Sequence, residues 1–246
     1  MVVLLLVLAC KPTKEETFTI AAASSMQFAL EELANAYTNE TGFSCKLVTG
    51  ASGMLTSQIS TGAPFHLFMS ADMNYPDYLF KQGLTLDPPL AYAKGTLVFW
   101  SVAGKELPEF HQINLEPIQL WAIANPETAP YGKAALEVLH HYNIFNEVKN
   151  KLVYGENIAQ TNQFIASGAA YGGFTSKSVV MALNLKNKGT WQEINPQAYQ
   201  PIEHGVVVLK SSTGIEKKAQ AFKAFLFSKK GRRILEKYGY LPITKN

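Results

Sequence analysis

From Phe18 onward, short apolar runs rich in β-branched residues alternate with amphipathic helical runs, and this alternation limits the fold more than any other feature of the chain. Parallel strands cannot be joined by tight turns. Helices filling the crossovers between them give an α/β architecture of mostly parallel sheets. The pattern predicts strands over Phe18–Ala22, Leu47–Thr49, Leu67–Ser70, Thr96–Val102, Leu120–Ala124, Gly172–Thr175 and Val206–Leu209. It predicts helices over Met26–Tyr37, where Leu30, Leu33, Ala34 and Tyr37 share one face, and over Met54–Ser60, Lys133–Tyr142 and Ile158–Ser167. The stretch Ile215–Tyr238 reads as helical with a break near Gly231.

A short polar or glycine-rich turn recurs where strands pass into helices. Ser24 and Ser25 follow FTIAAA, with Gln27 in capping-box register to Ser24; Gly50-Ala51-Ser52-Gly53 follows LVT. Asn125 to Gly132 follows LWAIA, and Gly155-Glu156-Asn157 precedes Ile158, with Gln160 three residues after Asn157. Taken singly, each is an ordinary helix start. Gathered in one crevice they would make an anion site, because a helix N-terminus offers unsatisfied N–H groups and about half a positive charge. In α/β folds such junctions lie at the carboxyl ends of the strands, where ligands bind. Donors without an arginine suit a fully deprotonated tetrahedral oxyanion better than a phosphate that keeps a proton.

Composition supports a globular chain without cationic grip. Its 246 residues are 47% hydrophobic and 17% charged, with Lys+Arg 22 against Asp+Glu 19, which excludes disorder. The only arginines are Arg232 and Arg233 and the lysines are scattered, so nucleic acid is not an expected partner. Cys10 and Cys45 are the only cysteines, and no Cys/His spacing suggests zinc. Val2 to Ala9 is continuously apolar and ends at Cys10, too short for the roughly 20 residues that span a bilayer. It resembles a lipoprotein signal, with Cys10 as the lipid-bearing first mature residue, although no basic residue precedes the apolar run. A buried N-terminal strand is the alternative.

The motifs AAASS (Ala21 to Ser25), GASGMLTSQI (Gly50 to Ile59), GAPFHLFMSAD (Gly62 to Asp72), ANPETAPYGKAAL (Ala124 to Leu136) and GENIAQ (Gly155 to Gln160) occur in the order found in the periplasmic molybdate-binding proteins of ABC importers. KYGYLP at Lys237 to Pro242 is similar too, so the resemblance covers nearly all of the chain after Thr17. It implies a two-lobed type II periplasmic-binding-protein fold with the ligand cleft between the lobes. Residues 1–16 are then signal segment and linker, 17–96 plus 207–246 the first lobe, and 97–206 the second. The implied ligand groups are the hydroxyls of Ser24 and Ser52 and the main-chain N–H groups of Tyr131 and Ile158. Ser176 stands where some relatives carry a tyrosine hydroxyl, and His66 replaces an aspartate common in GAP-x-D-LF. The resemblance further implies a monomeric, extracytoplasmic receptor, anchored through Cys10, that delivers molybdate and tungstate to an ABC permease. Molybdenum would be held only as the oxyanion, with no cofactor and no catalysis.

One alternative is a binding protein for another oxyanion or small ligand on the same fold; the rival from another class is a serine hydrolase using Ser52. G-x-S-x-G would require glycine at position 54, where Met54 stands. His66, His111 and His204 are possible bases, but with Asp72, Asp77 and Asp87 as the only aspartates no orienting partner is evident.

Overall fold

The computed structural model describes residues 18–102, 107, 119–182, 188–211 and 214–243. Cys10, the apolar run before it and His111 lie outside the described residues.

Two five-stranded sheets, each flanked by helices, form the two halves of the molecule. The first contains β1 (Thr19–Ala23), β2 (Lys46–Gly50), β3 (Leu67–Ser70), β4 (Leu90–Gly95) and β10 (Ile202–Val208), in the order β2-β1-β3-β10-β4. The second contains β5 (Leu97–Ser101), β6 (Trp121–Ala124), β7 (Leu152–Gly155), β8 (Gly172–Ser176) and β9 (Thr190–Glu193), in the order β7-β6-β8-β5-β9. The strands that alternate with helices pair in parallel, β1 with β2 and β3, and β6 with β7 and β8.

The remaining pairs are antiparallel, so both sheets are mixed: β10 opposes β3 and β4, and β5 opposes β8 and β9. The crossings between halves explain this. Only Thr96 separates β4 from β5, so the chain passes almost straight from one sheet into the other. The parallel strands of each half run toward the boundary between the halves. A strand that enters from across that boundary must run away from it, against its neighbours.

Helix α1 (Gln27–Thr41) buries Ala29, Leu30, Leu33, Ala34 and Tyr37, the face its periodicity predicts, and ends at Gly42 in the left-handed conformation with φ 76°. Phe222 and Phe225 of α8 (Glu216–Leu226) pack edge-on to Tyr37, at 5.1 and 5.6 Å between ring centroids. At roughly 1.5–3 kcal/mol for each large apolar side chain fully buried, this cluster is a main support of the first half. Phe99, Trp121 and Phe174 form the matching aromatic centre of the second. The C-terminal helical stretch divides into α8 and α9 (Lys229–Lys237), broken ahead of Gly231 at Phe227 and Ser228, whose hydroxyl caps α9.

Several elements escape the sequence pattern: α3 (Asn74–Lys81), which contains Pro76, and the edge strands β4, β7 and β9. Edge strands are half-solvated and show no continuous apolar run. Strand β10 begins at Ile202, four residues before the predicted start, because Ile202 to His204 pair with β4 across a bulge at His204/Gly205.

Candidate functional site

Four strands end at one place between the halves. After β1 comes a 3₁₀ turn (Ser24–Met26) leading into α1; after β2, Ala51 leads into α2 (Ser52–Ser60). After β6, a turn leads into α4 (Pro130–His141), and after β7, Asn157 leads into α6 (Ile158–Ala166). Between these helix starts lies a small recess, lined by Ala23 to Ser25, Gly50 to Ser52, Ala71, Ala129 to Tyr131, and Ile158. Ser24, Ser52, Tyr131 and Ile158, far apart in the chain, therefore line a single space, and each is at most 4% exposed.

The capping of these helices is unusual. The N-cap residues of the Ser24 turn, α2 and α4 are Ala23, Ala51 and Ala129, and none offers a side-chain cap. Alanine at an N-cap forgoes roughly 1 kcal/mol relative to serine or aspartate. The capping-box register of Ser24 and Gln27 is not used, because Ser24 lies inside the turn and Ala23 takes the cap position. Asn157 does cap α6, but its side-chain Oδ1 accepts from the Ala159 and Gln160 N–H groups, not from Ile158. The leading amides of α2, α4 and α6, those of Ser52, Tyr131 and Ile158, are thus left uncapped at the recess, whereas the Gly53 and Gly132 N–H groups are spent on Thr128 O and Ala129 O.

Among the described residues, no lysine, arginine or carboxylate lines it. Asp72, next to Ala71, is turned into the start of α3, where its Oδ1 accepts from the Ser70 hydroxyl and the Tyr75 N–H; burial raises its pKa. Helix termini supply positive potential to the recess.

The hydroxyls differ in role. Ser52 Oγ accepts from the Ala71 N–H at 3.1 Å, which leaves its own proton free to donate. Ser25, which is not among the ligand groups that the resemblance implies, also lines the recess, is 2% exposed, and its Oγ finds no partner among the described residues. A buried hydroxyl without a partner costs about 1–3 kcal/mol, so an acceptor is expected there. The signal available was the second serine of AAASS.

Ser176 is not part of the lining, contrary to its place among the expected ligand groups. It ends β8 fully buried, 2.9 Å from Ser178 Oγ and 3.4 Å from the Ser25 carbonyl. Ser178 donates to the same carbonyl at 2.5 Å and Tyr240 donates at 3.1 Å. With those two protons on the carbonyl, the Ser176 proton goes to Ser178 Oγ.

Two contacts close the opposite side. The Gly53 N–H donates to Thr128 O at 2.9 Å, and the Tyr75 hydroxyl donates to Glu127 O at 3.2 Å, both reaching from the first half to the second.

The hydrolase alternative finds no support in this geometry. Ser52 pairs with a backbone amide, His66 Nδ1 accepts from the Thr19 N–H, and His204 lies between Tyr92 and Tyr131.

The pattern of a family described as bacterial extracellular solute-binding protein matches residues 18–241. The molybdate-binding protein ModA of Rhodobacter capsulatus is 33% identical over 90% of this chain and 86% of its own length. ModA of Azotobacter vinelandii is likewise 33% identical, over 95% of this chain and 92% of its own. The solved periplasmic molybdate-binding protein of Azotobacter vinelandii superposes with a TM-score of 0.86 at 29% identity, covering 92% of this chain and all of that one. The match runs through both sheets and every segment that lines the recess, and the chain belongs to the bacterial extracellular solute-binding proteins, which bind their solutes outside the cytoplasm and are not enzymes.

Proposed function

We propose that the recess captures molybdate, and also tungstate, and that the loaded protein delivers the ion to an ABC permease. The observation that carries this reading is the convergence of uncapped helix starts on a small, cation-free space. A tetrahedral dianion there meets the hydroxyls of Ser24, Ser25 and Ser52 and the first-turn amides of Tyr131 and Ile158. The amides can only donate, and Ser52 is set as a donor by the Ala71 N–H. A phosphate that retains a proton would need the Ser24 or Ser25 hydroxyl as its acceptor, at the expense of a donor that a dianion uses. Charge does not separate sulfate from molybdate; the choice of the larger ion rests on the likeness to molybdate-binding relatives.

A thermal-shift panel of molybdate, tungstate, sulfate and phosphate tests the reading. At ligand about 1,000-fold above Kd, linkage supplies roughly 4 kcal/mol, a rise on the order of 10 °C for a chain of this size. A shift with phosphate alone would overturn it. We infer in addition that Cys10 carries the membrane anchor, on the strength of the apolar run that it ends. Membrane fractionation of the full chain against Cys10→Ser checks this, and equal solubility of the two refutes it.

A further inference from the structure

We propose that Ser178 is a positioning residue for the anion site and acts through the main chain of Ser25 as a latch between the two halves. This rests on the reading of the recess as the anion site.

Ser178 opens α7 (Lys177–Ala182), which follows β8 in the second half, whereas Ser25 belongs to the first. Its 2.5 Å hydrogen bond to the Ser25 carbonyl therefore crosses the boundary directly behind the recess. Ser178, Ser176, Ser25 and Tyr240 are each at most 3% exposed, so the network sits in a low-dielectric setting where each bond is strengthened and a lost one is not replaced by water. Three hydroxyls lie within hydrogen-bond distance of one carbonyl. The division of protons gives each a separate task. Tyr240, from the Ser25 half, holds the carbonyl whatever the relation of the halves. Ser178 reaches it only when the halves are together, and Ser176 orients Ser178 by donating to it.

The consequence concerns the ligand face of the same turn. With its carbonyl drawn backward, the Ser24–Ser25 turn keeps its unpartnered hydroxyl at the recess. Binding of the anion on one side and formation of the Ser178 bond on the other thus favour the same closed arrangement. Loss of the latch should appear in the release of the ion rather than in its capture, because the bond is absent before closure.

The test is stopped-flow binding of molybdate to wild type and Ser178→Ala, with Ser178→Thr as the variant that keeps the hydroxyl. Ser178→Ala should release molybdate about fivefold to tenfold faster, the worth of one buried neutral hydrogen bond, with the association rate and the anion-free melting temperature nearly unchanged. Ser178→Thr should restore slow release. Equal release from wild type and Ser178→Ala overturns the latch while leaving the anion site standing. If wild type binds no molybdate, the reading of the site falls and the latch falls with it.

Discussion

The hydroxyl of Tyr131 lies 3.4 Å from Nε2 of His204, joining the first turn of α4 to β10 in the other sheet. The opposite ring nitrogen, Nδ1, stands 3.4 Å from the Tyr92 hydroxyl, which donates to Met26 Sδ. The imidazole thus stands between two tyrosine hydroxyls, one at each ring nitrogen. The pair is possible because residue 95 is glycine. A Cβ at Gly95 would sit 2.1 Å from the Tyr131 hydroxyl and 2.9 Å from His204 Nε2.

Gly95→Ala should therefore weaken molybdate binding although residue 95 does not line the recess. The added methyl must push Tyr131 aside, and with it the amide at the start of α4. Tyr131→Phe, which removes only the hydroxyl, should have the smaller effect, within about tenfold. Calorimetric titration of both variants checks this order; a Gly95→Ala protein with wild-type affinity would contradict it.

Burial holds the pKa of His204 down at about 3, against an ordinary value of 6.5. Between those pH values the unfolded chain takes up a proton that the native protein refuses. Stability from this residue is complete above pH ~6.5 and falls as pH drops toward about 3, by up to about 1.4 kcal/mol per unit. Urea unfolding at pH 7 and pH 5 should show wild type losing about 2 kcal/mol more than His204→Gln over that interval. Identical losses would mean that the native imidazole titrates normally.

Ser24→Ala, Ser25→Ala and Ser52→Ala should each lower affinity for the anion about tenfold or more, the loss of one charge-assisted hydrogen bond of about 1.5–3 kcal/mol. Ser25→Ala should leave stability unchanged or raise it in the absence of ligand, because it removes a buried hydroxyl without a partner. Calorimetry for binding and thermal melts for stability separate these effects. Ser176→Ala should reduce affinity less than any of the three.

Gly53→Ala tests closure from the other side. A Cβ there would meet the Tyr75 hydroxyl at 2.7 Å and Thr128 Cα at 3.1 Å, so the halves could not approach as closely. Affinity should fall with the melting temperature of the anion-free protein little changed, and small-angle scattering should show a smaller compaction on adding molybdate than in wild type. Undiminished compaction would exclude a role for the Gly53–Thr128 contact in closure.

Local order was legible in the sequence wherever neighbours along the chain decide it. The buried face of α1 follows from the spacing of Leu30, Leu33, Ala34 and Tyr37, and the strand-to-helix junctions follow from small and polar residues after apolar runs. That Ser24, Ser52, Tyr131 and Ile158 share one space had to come from the fold or from the resemblance, since more than 100 residues separate the first from the last. Tertiary structure decided the rest. The antiparallel strands β5 and β10 follow from where the chain crosses between halves, which no local pattern encodes. Whether Ser25 or Ser176 faces the recess depends on α7 packing behind the Ser24 turn, a contact across about 150 residues that consumes one hydroxyl and frees the other. Likewise Ala23, Ala51 and Ala129 read as ordinary small residues in the sequence. Only their convergence shows that the helix starts were left uncapped around a common space, where the unsatisfied amides can serve one anion.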